Sequence, residues 1–212
     1  MDVDGPAPDH PGPGGLIAEG KRARTVPIIL DGALAALRAA HTVDGPSYGR
    51  ISAPDSVAWM AFLTDRLASY AATLTRLGQA AIAAHRARVR TDLALLADVR
   101  PHLLHGDPHP GNFRLRAGRV VLLDWELATY GDPQLDLVRF AWEWRIPPRR
   151  WRQVVGIDPD EPAIVLYRHI HLLGRVMSAI SRGSVELAGR YLANLPAELA
   201  PQPARPGATH GV

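Results

Sequence analysis

The chain has 212 residues, of which 47% are hydrophobic and 21% charged, and its net charge is only +3. This balance excludes a disordered chain and gives one domain with a core of its own. The absence of cysteine excludes disulfides, thiolate metal sites and a cysteine nucleophile. No apolar run reaches the roughly 18 residues of a membrane helix, and the start lacks a secretory signal. We therefore expect a cytoplasmic protein without membrane contact.

Both ends of the chain have the composition of tails. Residues 1–15 contain four glycines and four prolines without a periodic apolar pattern, and residues 201–212 are similar. We predict a flexible segment over 1–30, a folded domain over 31–200 and a disordered tail over 201–212.

The folded part is mostly helical in pattern. A first helix is predicted over 31–41, with Asp31 as its cap. A longer helix capped by Asp55 or Ser56 carries an inward face with spacings of three and four residues, made of Trp59, Leu63, Leu67, Tyr70, Leu74 and Leu77. After Gly78 a further helix is predicted to about Arg100, with Leu93 and Leu96 inward.

The pattern changes between Phe113 and Asp124. Phe113 and Leu115 alternate with arginines, Ala117-Gly118 supplies a turn, and four apolar residues follow. This predicts a short β-hairpin. Helices resume over 133–144, 148–155, 160–181 and 184–195, so the fold class is α+β, predominantly helical.

The stretch with the strongest chemical signal is residues 103–136, LLHGDPHPGNFRLRAGRVVLLDWELATYGDPQLD. Asp107 and Asn112 flank a loop stiffened by proline and glycine, and the hairpin returns Asp124 beside them. Two carboxylates and an amide oxygen suit Mg²⁺, a hard ion that prefers oxygen ligands. A carboxylate that is not used for the metal is free to accept a proton from a hydroxyl group.

His105-Gly106-Asp107, Asn112 five residues later, and Asp124 at the end of a hairpin together resemble the catalytic core of the aminoglycoside phosphotransferase and choline kinase family. The family has a protein-kinase-like fold, and the H-x-D-x₄-N spacing is that of the kinase catalytic loop. The later Gly131-Asp132-Pro133 and Asp136 also match. The resemblance covers roughly residues 31–195 and identifies 31–200 as the large, C-terminal lobe.

The resemblance implies an ATP- and Mg²⁺-dependent kinase for a small molecule that bears a hydroxyl group. Asp107 would be the catalytic base, and Asn112 and Asp124 would hold the Mg²⁺ that bridges the nucleotide phosphates. The implied roles of the remaining residues are bracing of the loop by His105, assistance near the metal by Glu126, and pinning of the following segment by Asp132 and Asp136.

The chain departs from the family before the hinge helix. The small lobe that covers the phosphates in full-length relatives has no counterpart here, so 1–30 is interpreted as a tail and a remnant preceding the hinge. This leaves an alternative function open, a non-catalytic pseudokinase-like binding or scaffold protein. It also predicts self-association, or a partner that covers the exposed upper face.

The sequence also bears on the charge of the acceptor, on nucleic-acid binding and on zinc binding. Between Asp136 and residue 200, nine arginines face six acidic residues, which favours a neutral or anionic acceptor over a polycationic aminoglycoside. A cluster of Arg145, Arg149, Arg150 and Arg152 beside Trp142, Trp144 and Trp151 predicts a solvated helix junction with inward tryptophans rather than a nucleic-acid surface. His102, His105 and His109 lack the spacing of a zinc site.

Overall fold

The computed structural model describes residues 19–56, 58–76, 93–96 and 99–198. The tails predicted at 1–15 and 201–212 lie outside these residues. Most of the helix predicted after Gly78 lies outside them too, as does Leu77 at the end of the helix predicted before it.

Six α-helices and three short 3₁₀ turns make up most of the described chain. The helices are α1 (Glu19–Ala40), α2 (Trp59–Arg76), α3 (Pro133–Glu143), α4 (Trp151–Val154), α5 (Pro162–Ser181) and α6 (Val185–Glu198). The 3₁₀ turns are Leu93–Leu96, Pro110–Asn112 and Pro148–Arg150. The helices predicted over 133–144, 160–181 and 184–195 are confirmed, and the one predicted over 148–155 is divided between a 3₁₀ turn and α4.

The predicted helix starts are wrong at two places. Helix α1 begins at Glu19, so the expected boundary at residue 31 falls inside it and Asp31 is an exposed residue of its middle. A helix that packs through its apolar face tolerates an aspartate on its exposed face. Here the packed face includes the buried Leu34 and Leu37. Asp55 and Ser56 belong to a strand rather than a cap, and α2 begins only at Trp59.

The helix predicted after Gly78 also differs from the structure. Where the apolar pattern predicts α-helix to about Arg100, the described residues form a single 3₁₀ turn over Leu93–Leu96. Both leucines at its ends are nevertheless buried, as their inward positions predict. The inward face of α2 is likewise confirmed at Trp59, Leu63 and Leu67.

Two antiparallel sheets interrupt the helices. The strands are β1 (Tyr48–Arg50), β2 (Ala53–Ser56), β3 (His102–Leu104), β4 (Phe113–Arg116), β5 (Arg119–Leu122) and β6 (Thr129–Gly131). One sheet has four strands in the order β2-β1-β6-β3, and the other is the β4–β5 hairpin. The four-stranded sheet is absent from the sequence prediction because its strands are short and pair across distant parts of the chain.

The predicted hairpin is confirmed in register. Phe113 pairs with Leu122 and Arg116 pairs with Arg119, which leaves a two-residue loop. Both loop residues are left-handed, with φ of 48° at Ala117 and 76° at Gly118. Such a primed turn matches the twist of paired strands, and it directs the chain back toward the loop that precedes β4.

The core lies between the helices and the sheets. Helix α5 crosses its centre and packs on α3, α6 and α2, while α1 covers the hairpin. At this contact a Cβ on Gly32 would overlap Val120, so the glycine permits the close approach of helix and strand. At the tryptophan–arginine junction the four arginines are exposed, as predicted. Trp151 is buried and donates to the Ile146 carbonyl oxygen at 2.7 Å, whereas Trp142 and Trp144 are only half-buried.

None of the helices in the described ranges has the length and apolar character needed to cross a membrane.

Candidate active site

The loop over residues 105–112, between β3 and β4, is held from below by α3. The Asp136 carboxylate accepts the backbone N–H of His105 at 2.6 Å and that of Gly106 at 3.0 Å. Arg139, one turn further along the helix, donates to the Gly106 carbonyl oxygen. Near the end of the same helix the Trp144 indole N–H donates to the Pro108 carbonyl oxygen at 3.2 Å. Side chains of one helix therefore fix the backbone of the loop at three successive points.

Gly106 is required by this arrangement. Its φ is +83°, and a Cβ there would overlap the backbone carbonyl oxygen of Leu127. Glycine adopts this left-handed conformation without steric cost. The loop can therefore pass against the segment that leads into β6.

Asp136 is fully buried and has a structural environment. Besides the two amides, it accepts a hydrogen bond from the His41 side chain at 3.3 Å. Burial acts to raise the pKa of Asp136, but the His41 hydrogen bond, the charges of His41 and Arg139 and the His105 amide outweigh it and hold that pKa below its usual value. The carboxylate is therefore charged and has no free side toward a ligand.

Asp132 joins α3 to two other helices. It caps α3 by accepting the Gln134 amide at 2.9 Å, and its second oxygen accepts the Tyr167 hydroxyl at 2.6 Å. That hydroxyl in turn accepts the Trp59 indole N–H at 2.8 Å. Burial raises the pKa of Asp132 against the effect of these hydrogen bonds, and the pKa of Tyr167 is raised by burial and by the nearby carboxylate.

His105 is buried beneath the loop and links it to the segment after the hairpin. The Asp107 amide donates to its Nδ1 at 3.2 Å, so the ring proton lies on Nε2, which donates to the Leu123 carbonyl oxygen at 2.8 Å. The Leu123 amide donates to the Asn112 carbonyl oxygen at 2.8 Å. Both backbone groups of Leu123 are thereby tied to the loop, and Asp124 is the next residue.

Asn112 and Asp124 form the candidate metal side of the loop. The Asn112 side-chain amide donates to the Asp107 carbonyl oxygen at 2.9 Å, which leaves its oxygen as the group available to a cation. Asp124 is exposed and left-handed, with φ of 62°, a conformation that aspartate and asparagine tolerate best among non-glycine residues. An amide oxygen and a carboxylate fit Mg²⁺, which keeps several of its waters in protein sites.

Within the described part of the chain, no three histidine, cysteine or carboxylate side chains gather as a metal site. The three histidines considered for zinc have separate partners. His102 lies 3.3 Å from Asp44, His105 is bonded as above, and Nε2 of His109 lies 3.6 Å from Asp107. Glu126 is exposed on the segment that follows Asp124.

Asp107 lies in the loop that carries Asn112, and it lines a cavity. Its side chain is 44% exposed. The cavity has a volume of about 530 Å³, and it is lined by Arg66, Tyr70, Gly106, Asp107, His109, Pro110, Leu127, Arg139, Glu143, His171, Gly174, Arg175, Ser178 and Arg182. A small molecule in this space would reach the Asp107 carboxylate directly.

The wall of the cavity opposite the loop was not predicted from the sequence. Helix α5 supplies much of that wall through His171, Gly174, Arg175 and Ser178, which lie on one face of the helix, and Arg182 follows just past its end. These positions form a polar stripe on a helix whose other face is apolar. The stripe is the signal that could have been found in the sequence.

The fold is of the kinase-like class. A sequence profile described as the phosphotransferase enzyme family matches residues 10–164. The chain belongs to this family.

Solved structures agree with the fold. Over 83% of this chain and 65% of the other, it is similar to the aminoglycoside phosphotransferase APH(4)-Ia in ternary complex with AMP-PNP and hygromycin B, with a TM-score of 0.65 and 18% identity. It is similar to choline kinase LicA from Streptococcus pneumoniae over 82% of this chain and 65% of the other, with a TM-score of 0.56 and 20% identity. It is also similar to a choline/ethanolamine kinase family protein from Mesorhizobium loti, over 85% of this chain and 65% of the other, with a TM-score of 0.59 and 20% identity. The chain thus spans 65% of the length of each of these structures. No curated protein sequence matches it significantly.

Proposed function

We propose that this chain moves the γ-phosphate of ATP to a hydroxyl group of a small molecule, with Mg²⁺ held by Asn112 and Asp124. The observation that supports this most directly is the placement of Asp107. It is partly exposed to a cavity of about 530 Å³, and its own backbone carbonyl oxygen is tied to Asn112 on the other side. A proton acceptor and a metal-binding side are thereby joined within one rigid loop.

Asp107 acts as the general base. The acceptor hydroxyl lies in the cavity against the carboxylate, its oxygen forms the new bond to the γ-phosphorus, and the bond from that phosphorus to the ADP oxygen breaks. The hydroxyl proton passes to Asp107. A positioned general base contributes about 10²–10⁴-fold to the rate, and most of the remaining acceleration in phosphoryl transfer comes from positioning and charge neutralisation.

Asn112 and Asp124 supply the oxygen ligands for the metal. When bound, Mg²⁺ neutralises charge on the nucleotide phosphates. The two ligands keep their relation because the Asn112 backbone carbonyl oxygen accepts the amide of Leu123, the residue before Asp124. Glu126, two residues further and exposed, is an accessory residue of this side in the proposal.

His105 is a positioning residue in this proposal. It is fully buried, so it touches no ligand, and its two ring nitrogens bind the Asp107 amide and the Leu123 carbonyl oxygen. One imidazole therefore sets the spacing between the base and the segment that presents Asp124. Its loss is expected to affect both the rate and metal-dependent nucleotide affinity.

The first experiment is a calorimetric titration of the chain with MgATP, using Asp124→Asn as the test variant. Asparagine removes the charge but tolerates the left-handed backbone, so the change tests the ligand rather than the fold. Asp160→Asn removes a charge of the same kind from an exposed site and is the matched control. We expect the wild type and the control to bind equally, and Asp124→Asn to bind at least about tenfold more weakly, since charge-assisted contacts are worth about 1.5–3 kcal/mol.

Equal affinity in all three proteins would contradict the role of Asp124, and no binding in any of them would contradict the proposal for this chain. Metal-dependent binding without phosphate transfer to any hydroxyl compound would favour the non-catalytic alternative. The two functions are separated by following ADP release with a panel of acceptors.

A further inference from the structure

We propose that the acceptor carries an anionic group, a carboxylate or a phosphate ester, in addition to the hydroxyl that is phosphorylated, and that Arg66 and Arg139 bind it. This rests on the proposed function, and it assigns a substrate class to the cavity beside Asp107.

The wall of the cavity has an excess of positive charge. Four arginines line it, Arg66, Arg139, Arg175 and Arg182, against two carboxylates, Asp107 and Glu143. Glu143 is already paired, because Arg175 donates to it at 2.7 Å. Asp107 is the base of the proposed reaction. The other three arginines have no carboxylate within 4 Å among the described residues.

Arg139 and Arg66 are the best placed of these three arginines. Arg139 is only 9% exposed, and it donates to the carbonyl oxygen of Gly106, the residue before Asp107. Arg66 is partly buried and donates through Nε to the Tyr70 hydroxyl at 2.7 Å, which orients its guanidinium. Burial lowers the pKa of Arg139 to about 10, and the second cause is repulsion by Arg66. An anion bound by both guanidiniums would relieve that repulsion.

His171, on α5, lines the same cavity as Arg66 and Arg139. Its ring is buried, and its Nε2 atom has no hydrogen-bond partner but lies 3.7 Å from the Glu143 carboxylate. Burial lowers its pKa well below the usual value, and the charges of Arg139, Arg175 and Arg66 add to this effect. Three guanidiniums and one carboxylate thus lie around this imidazole, which leaves an excess of positive charge that a bound anion would reduce.

The position of the cavity favours the acceptor over the nucleotide as the source of the anion. Asp107 is among its lining residues, whereas neither Asn112 nor Asp124 is. Its wall on α5 runs from His171 to Ser178, about 10 Å at the helical rise of 1.5 Å per residue, and Arg182 extends it just past the end of the helix. That length exceeds a single phosphoryl group and accommodates an extended acceptor.

The test is a calorimetric titration with four probes, three small ones that differ in charge and one larger polycation. Glycerol 3-phosphate and glycerate carry a hydroxyl with a phosphate ester or a carboxylate, glycerol is neutral, and hygromycin B is a polycation. We expect one or both anions to bind the wild type at least about tenfold more tightly than glycerol, and hygromycin B to bind more weakly than that anion. The comparison of the two anions identifies which group the site takes.

Variants then assign the binding to the arginines. Arg66→Gln is expected to weaken the bound anion about tenfold or more, and Arg182→Gln, at the exposed rim, to weaken it less. Arg149→Gln removes an exposed arginine away from the cavity and is the matched control. Arg139 is left intact because it also holds the loop. The proposal is overturned if both anions bind no better than glycerol, if they bind Arg66→Gln as tightly as the wild type, or if hygromycin B binds more tightly than both.

A parallel titration with Mg-AMP-PNP separates this proposal from the proposed function. If the wild type binds the anion but not the nucleotide, the anion site stands and the kinase assignment fails. If both bind together and Arg66→Gln keeps its nucleotide affinity, the anion belongs to the acceptor. If saturating nucleotide expels the anion and Arg66→Gln weakens the nucleotide to the same degree, the arginines serve the nucleotide phosphates and the proposal is wrong.

Discussion

The two sides of the catalytic loop differ in how their carboxylates are satisfied. Beneath the loop, Asp132 and Asp136 are buried, and five donors from backbone and side chains surround them. On the open side, Asp107 and Asp124 are partly or fully exposed, and their positions are set through backbone hydrogen bonds of the loop and its neighbours. A carboxylate whose oxygens are already bonded holds the structure, whereas one that is held only through its backbone keeps its oxygens for a ligand.

Asp107→Asn tests the open side and is expected to have the largest effect. The variant keeps the shape of the side chain but cannot accept the hydroxyl proton, so phosphate transfer should fall by about 10²–10⁴-fold. The unfolding free energy should change by less than about 0.5 kcal/mol because the side chain is substantially exposed. Single-turnover transfer from ATP and urea denaturation measure the two quantities. Unchanged transfer would contradict the role of Asp107 as the base.

Asp136→Ala tests the floor beneath the loop and should have the opposite profile. Its removal leaves two buried backbone amides and the His41 side chain without their acceptor, so the unfolding free energy should fall by about 3–5 kcal/mol. Urea denaturation measures this loss, with Asp160→Ala as the exposed control, expected within about 0.5 kcal/mol. A loss as small as that of the control would show that the loop does not depend on Asp136.

Gly106→Ala introduces strain where the two sides meet. The positive φ and the overlap with the Leu127 carbonyl oxygen require a backbone shift, which should cost about 1–3 kcal/mol of unfolding free energy. Gly118→Ala, in the hairpin turn, also has a positive φ, but no atom lies within 4 Å of its added Cβ. The difference between the two variants in thermal denaturation isolates the contact. Equal losses would assign the whole effect to φ.

The pH dependence of the unfolding free energy is expected to show the smallest effect. Because the folded-state pKa of Asp136 is below the ordinary 3.8, its contribution is present above that pH and is lost as the pH falls through the lowered pKa. One such group contributes a slope of up to about 1.4 kcal/mol per pH unit. His41→Gln removes a cause of the lowering, so the fall in unfolding free energy below about pH 4 should be shallower in this variant. Parallel curves would contradict the role of His41.

Local signals in the sequence were sufficient to predict several elements of secondary structure. The hairpin follows from the alternating residues before Ala117-Gly118 and the apolar run after it, and the two turn positions must be left-handed in a two-residue turn. Helix α3 follows from Asp132 and Pro133, a cap and a first-turn proline. In both cases the residues that dictate the geometry are neighbours in the chain.

The four-stranded sheet and the starts of α1 and α2 were not predictable in this way. The sheet pairs Gly49 with Tyr130 and His102 with Gly131 through strands of only three or four residues, too short for a periodic signal. Asp55 has the chemistry of a cap but lies in β2, because pairing with β1 extends the chain there. Pairing partners that are distant in sequence overrode the local preference.

The same division applies to the candidate site. The sequence by itself determined the loop, since the spacing of His105, Asp107 and Asn112 and the return of the hairpin at Asp124 are properties of a short, stiff segment. Only the tertiary structure decided that α3 supports that loop and that α2 and α5 bring arginines to the cavity beside it. Helices separated by many residues meet because their apolar faces share one core, and the charges on their other faces are then placed together by packing.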